Sequence, residues 1–186
     1  ENRPDVCEDM VASKNLIPSL DLTLRGNMLT NAQIAAGGDP YYAIDDEVAN
    51  STKHDYKIVD LANILKNFKK PVFMRIGGEF NGSWNGYKPF EYPKAFRKIV
   101  NIFREQGVEN VVFVWCYEPA GPDDFDAKDA AGNYKWFPGD DVVDWYCVDL
   151  YATHDFSGPT TAANGTLTPY GRTLKFLNMA TSHGKP

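Results

Sequence analysis

The sequence lacks any apolar run of about 18 residues, so no segment of it reads as a membrane-spanning helix. It lacks a surplus of positive charge as well. A formal charge of −6 and a pI near 5.0 remove the attraction that nucleic-acid phosphates or an anionic membrane would need, which leaves neutral ligands as the better fit. Cysteine is scarce: Cys7, Cys116 and Cys147 are odd in number and have no metal-ligand spacing. Cys116 and Cys147 lie in apolar runs and read as buried thiols, with a bridge between neighbouring strands as the alternative. His54, His154 and His183 are scattered, so neither a metal nor a cofactor is expected. No glycine-rich phosphate fingerprint follows any apolar run. The opening Glu1-Asn2-Arg3-Pro4-Asp5 has no charged-then-apolar leader pattern, which neither shows nor excludes export.

What is present is ordinary globular composition, 43% hydrophobic and 24% charged over 186 residues, which is read as one domain spanning 1–186. Aromatic residues make up 13%, enough for a large core or for flat faces that stack on sugars. Apolar runs alternate with helical patterns. Leu16–Leu22 reads as a strand, 25–53 as a long loop and Tyr56–Leu65 as a helix. A buried strand follows at Pro71–Met74, then an amphipathic helix over Tyr92–Arg104 with proline in its first turn and Gly107 beyond its end. Val111–Trp115 and Val142–Tyr151 read as strands, and Tyr170–Ala180 as the last helix.

Such alternation predicts parallel strands joined by helical crossovers, in an open doubly wound sheet or a closed barrel. Polar and aromatic groups gather at the strands' C-terminal ends: Asp21, Arg75 with Glu79, Tyr117 with Glu118, Asp149 with Tyr151. That distribution favours an α/β fold of the (β/α)8 TIM-barrel type. Only about four strand–helix units are supplied, so the barrel is expected to be incomplete, with the absent barrel segments required as partners for closure.

The segment Arg75-Ile76-Gly77-Gly78-Glu79-Phe80-Asn81-Gly82-Ser83-Trp84 carries the chemistry. Strand alternation puts Phe73, Arg75, Gly77 and Glu79 on one face, and a charged pair there must be partnered or sit at a wet cavity mouth. Glu79 is the candidate acid for glycosidic bond cleavage, which needs one carboxylic acid to protonate the leaving oxygen and a second carboxylate to attack or to activate water. A partly apolar pocket lined by Phe80 and Trp84 would suit that role, provided Arg75 is spent on another carboxylate.

Arg75…Glu79-Phe80-Asn81-Gly82…Trp84 resembles the Arg…His-Glu-Met-Asn-Gly…Trp signature of glycoside hydrolase family 26, the β-mannanases and their relatives in the retaining (β/α)8 clan. Asn110–Trp115 resembles that family's fifth strand, Phe137–Trp145 its approach to strand six, and Val148–Tyr151 that strand's end. The resemblance implies strands three to six, with Glu79 as general acid/base, Asn81 and Trp84 shaping the sugar site, and Tyr151 near the nucleophile. It also implies a secreted protein acting on a β-linked polysaccharide. Gly78 stands where the family carries histidine. The family's nucleophile follows a Gly-Lys-Pro lead-in, and this chain carries Gly184-Lys185-Pro186, so the nucleophilic glutamate is expected beyond Pro186.

Other positions keep two readings. Arg75 is a substrate contact or a scaffold arginine paired with Glu79 or Asp149, and Asp149 orients Arg75 or substrate. Glu118 binds substrate or starts a loop. Trp136 is a sugar platform or a packed loop aromatic, and His154 reaches the cleft or sits on the surface. Asp123, Asp124, Asp126 and Asp129 read as a solvated loop in preference to a calcium site, lacking the EF-hand glycine and glutamate. Sequons stand at Asn50, Asn81 and Asn164. The competing function is a non-catalytic carbohydrate-binding or structural protein built on the same barrel.

Overall fold

A computed structural model describes residues 16–26, 31–38 and 42–186. Cys7 lies outside them. Four parallel strands form one sheet: β1 (Ser19–Leu22), β2 (Val72–Glu79), β3 (Val111–Tyr117) and β4 (Trp145–Val148). Their spatial order equals their sequence order, β1-β2-β3-β4. A doubly wound sheet reverses direction at a switch point, whereas a barrel adds each strand beside the last, so this order is a barrel's.

The helices are α1 (Asn31–Ala35), α2 (Asp45–Asn50), α3 (Asp55–Phe68), α4 (Glu91–Glu105), α5 (Thr153–Phe156) and α6 (Pro169–Ser182). The stretch expected as a long loop over 25–53 thus holds α1 and α2. They are too short to show a helical period; α2 is marked instead by Asp45, Asp46 and Glu47 in its first turn, where carboxylates suit the helix dipole. The last strand is shorter than expected. Val142 and Val143 belong to the core, but a turn on Gly139 O takes their N–H groups, and pairing begins only at Trp145.

Alternation puts Met74 and Ile76 of β2 and Phe113, Trp115 and Tyr117 of β3 on the helix side, all buried. Between sheet and helices lies an aromatic stack centred on Phe80, whose ring is parallel to Trp115 at 4.6 Å and lies 5.8 Å from Tyr92 and 5.9 Å from Tyr117. From α6, Phe176 closes the stack against Tyr117 at 5.0 Å. Burying one such ring stabilises the fold by about 1.5–3 kcal/mol in transfer terms.

The opposite face is the barrel's interior, and there Trp145 remains 43% exposed although it meets Phe73 at 5.0 Å. Beside β4 the chain returns at its last residue, where Pro186 O accepts the Tyr146 N–H at 2.9 Å.

Candidate active site

Gly77 and Gly78 do not end β2. Arg75 pairs with Val114 and Glu79 with Cys116, so four steps along β2 match two along β3 and two extra residues bulge out between them. Both glycines have positive φ, 81° and 56°, which L side chains avoid. Because the insertion is even, Glu79 keeps the parity of Arg75 and emerges on the inner face at the strand's C-terminal end. Phe80 then turns into the core and anchors it. Phe80 is fully buried, so the expectation that it walls the acid's pocket is corrected: it holds Glu79 from behind.

A cleft of about 240 Å³ opens at this end, lined by Asp21, Thr23, Arg75, Gly77, Gly78, Glu79, Trp84, Asn85, Asp149 and Tyr151. Both Glu79 oxygens are occupied. Tyr151 Oη donates to Oε1 at 2.5 Å and Trp84 Nε1 donates to Oε2 at 2.9 Å. The hydrogen bond to Glu79, more than anything else, pushes the Tyr151 phenol well above its ordinary value, so it stays a donor. Trp84 reaches Glu79 from a short 3-10 turn, Ser83–Asn85, and needs glycine beside it, since a Cβ on Gly82 would lie 2.3 Å from the indole. Arg75 Nη2 donates to Asp149 Oδ2 at 2.6 Å. The arginine is therefore spent on Asp149 and leaves Glu79 to Trp84 and Tyr151.

Of the residues singled out in the sequence, Glu79, Arg75, Trp84, Asp149 and Tyr151 meet in this cleft. Asn81, Glu118, Trp136 and His154 do not line it. Asn81 is buried and its amide is consumed by backbone: Nδ2 donates to Glu118 O and Asp123 O, and Oδ1 accepts from Glu118 N. It ties the loop after β2 to the loop after β3, and in the fold it is closed to a glycan. Glu118 is buried behind that tie, and burial, ahead of the Glu79 and Asp155 charges, raises its carboxyl. Trp136 packs near Phe80 and donates to Asp123, so it is a core aromatic. His154 stands exposed on α5 beside Asp155.

Three contributors, Arg25, Asn85 and Asp155, were not singled out. Arg25 Nη2 donates to Trp84 O and Asn85 Oδ1, and Asn85 Nδ2 donates to Glu79 O at 2.7 Å, which fixes the acid's backbone. The buried Asp155 accepts the N–H groups of Tyr151 and Ala152 and so aims Tyr151 at the cleft. Asp21, named above among the strand-end polar groups, is brought beside the acid by its register with Arg75. Register is also what gathers Cys116, Cys147 and Asp149, whose ligand atoms lie within 4.8 Å of one another, a grouping that sequence spacing does not reveal. Asp124 and Asp126 of the acidic loop are engaged by Arg172 and Lys175, as a solvated ion-paired loop would be.

A sequence model of glycosyl hydrolase family 26 matches residues 31–185. The chain belongs to that family. Its relatives include a β-1,3-xylanase, TXYA, from a Vibrio species, 29% identical over 150 residues, and a β-1,3-xylanase from an Alcaligenes species, 27% identical over 150 residues. Each alignment covers 77% of this chain and 28% of the relative. Among solved structures, the GH26C protein of a Muricauda species superposes with a TM-score of 0.65 at 19% identity, covering 97% of this chain and 51% of that one. A family 26 β-mannanase from Bacteroides ovatus superposes with a TM-score of 0.55 at 20% identity, covering 94% and 51%. The four-stranded sheet is thus part of a (β/α)8 barrel, and the chain spans about half the length of these family 26 structures. Among the described residues no helix is long and apolar enough to cross a membrane.

Proposed function

We propose that the protein carrying this chain is a secreted glycoside hydrolase that cleaves a β-linked polysaccharide with retention of configuration, and that Glu79 is its general acid/base. The observation that carries this reading is the placement of Glu79: a carboxylate at the C-terminal end of a parallel barrel strand, facing a cleft, with both oxygens ordered by side-chain donors and the nearby arginine engaged elsewhere. The names of the xylanase relatives point to β-1,3-xylan as the first substrate to try, with mannan second.

In the first step the protonated Glu79 gives its proton to the glycosidic oxygen as a second carboxylate attacks the anomeric carbon. In the next, the Glu79 carboxylate takes a proton from the water that releases the sugar. Tyr151, 74% exposed, turns aside to let the leaving oxygen reach Oε1, while Trp84 keeps Oε2 fixed. The second carboxylate is proposed on the strand that follows Pro186, where the chain already runs beside β4. Retention requires it about 5–5.5 Å from Glu79. Asp149 is a poor substitute because Arg75 holds it.

The test is to supply the full-length protein with β-1,3-xylan and mannan and follow the anomeric proton signals of the first product. Initial release of the β-anomer supports the reading. Release of the α-anomer contradicts retention, and binding without any hydrolysis supports the carbohydrate-binding alternative instead.

A further inference from the structure

Three carboxylates line the cleft, and two are already occupied by side chains of this protein. Glu79 accepts from Trp84 and from the single proton of Tyr151, and Asp149 accepts from Arg75 at 2.6 Å with the Tyr151 oxygen 3.4 Å away. Asp21 differs. It projects from β1 on the cleft side, is exposed there, and is steadied from beneath by the Gly78 N–H. A Cβ on Gly78 would stand 3.0 Å from Asp21 Oδ2 and 3.5 Å from Oδ1. A Cβ at 78 would crowd this carboxylate; with glycine there, no side chain among the described residues hydrogen-bonds Asp21.

Charge adds a second constraint. The cleft wall carries Asp21, Glu79 and Asp149 against the single guanidinium of Arg75. Even with Glu79 protonated for its role as acid, two carboxylates face one cation. Crowding is felt at Asp21 itself: partial desolvation raises its carboxyl, Arg75 opposes the rise and Asp149 adds to it. A neutral sugar answers this environment with hydroxyl donors, and one carboxylate can accept two of them from adjacent ring carbons. A sugar bearing its own carboxylate brings a further negative charge into the same space.

We infer that Asp21 is the residue that selects the sugar: it accepts hydroxyl hydrogens from a neutral ring seated against Glu79, and the cleft rejects uronates. This deepens the glycosidase reading and rests on it. Asp21 acts in binding and takes no part in proton transfer.

The experiment compares the full-length protein with its Asp21→Asn and Asp21→Ala variants. The probes are a β-1,3-linked xylose tetrasaccharide, a mannose tetrasaccharide and a β-linked glucuronate tetrasaccharide as the anionic counterpart. Hydrolysis is followed as kcat/KM, and binding is measured calorimetrically in a Glu79→Gln background so that it is read apart from turnover. Thermal melting confirms that each variant is folded. For the better neutral probe, Asp21→Ala is expected to lose tenfold or more in both kcat/KM and affinity. Wild type should bind the glucuronate at least tenfold more weakly than that neutral probe, and Asp21→Asn should narrow the gap. Neutral-probe affinity within twofold of wild type in folded Asp21→Ala, or glucuronate bound as well as the neutral sugar, overturns the assignment of Asp21 while hydrolysis by wild type leaves the glycosidase reading intact. Wild type that neither binds nor cleaves any of the three overturns both.

Discussion

The Tyr151 hydroxyl donates to Glu79 Oε1 at 2.5 Å, joining the end of β2 to the loop that follows β4. A hydrogen bond to a charged group contributes about 1.5–3 kcal/mol, and Tyr151 orders the oxygen on which the proposed acid works. Tyr151→Phe is therefore expected to lower kcat/KM by about 10- to 100-fold with the fold intact, because the ring is mostly exposed and its loss of one hydroxyl leaves no cavity. Steady-state kinetics with a circular-dichroism control checks it. Wild-type kinetics in the variant would remove Tyr151 from the site.

Arg75 and Asp149 form a half-buried pair whose side chains are 24% and 19% exposed. Removing one partner of a fully buried pair costs about 3–5 kcal/mol, and solvent screening reduces that here to about 2 kcal/mol. Asp149→Asn is expected to lower the melting temperature and, by freeing the guanidinium toward Glu79, to reduce kcat. An Arg75→Met and Asp149→Asn double-mutant cycle separates the two effects, since the double variant has no stray cation near the acid.

Phe80 is the residue through which core packing reaches the acid. Its removal leaves a cavity among Trp115, Tyr92 and Tyr117, so Phe80→Ala should cost about 3–5 kcal/mol in denaturant unfolding. Phe80→Leu should cost less. If the leucine variant retains full stability and full activity, the anchoring role is wrong.

Glu47, which does not line the cleft, supplies a pH test that does not read catalysis. Glu47 accepts hydrogen bonds from Lys53, His54 and Tyr42, in that order of influence, and its carboxyl is held down from 4.5 to about 2. A carboxyl with a depressed folded value binds fewer protons folded than unfolded. Its contribution is therefore complete above the ordinary carboxylate value and is lost as pH falls toward 2. Denaturation midpoints measured from pH 6 down to about 2.5 should fall for wild type and fall less for Glu47→Gln.

Much of this was legible in the sequence, for identifiable reasons. β2, α4 and β3 have long, regular apolar patterns, and alternation alone brought Arg75 and Glu79 to one face, because the bulge at Gly77-Gly78 inserts an even number of residues. An odd insertion would have inverted that conclusion. Short elements escaped: α1 and α2 span too few turns for a period, and the apolar Val142-Val143 resembles a strand although its backbone bonds go to Gly139. Positions beyond the strand ends divided: Trp84, Asp149 and Tyr151 reach the cleft, whereas Asn81 and Trp136 do not. Nothing in Asn81 or Trp136 announces that one is consumed by backbone and the other by the core. Asp21 was legible as a strand-end carboxylate, but its place beside Arg75 comes from the pairing of β1 with β2, a property of the folded sheet.

The assignment of Glu79 as acid/base is tested most directly by Glu79→Gln in the full-length protein, assayed on the natural polysaccharide and on an aryl glycoside whose leaving group departs without a proton. General acid catalysis contributes about 10²- to 10⁴-fold, so turnover of the polysaccharide should fall by that factor, with a clearly smaller loss in bond cleavage on the aryl glycoside. Unchanged turnover on both substrates would contradict the account.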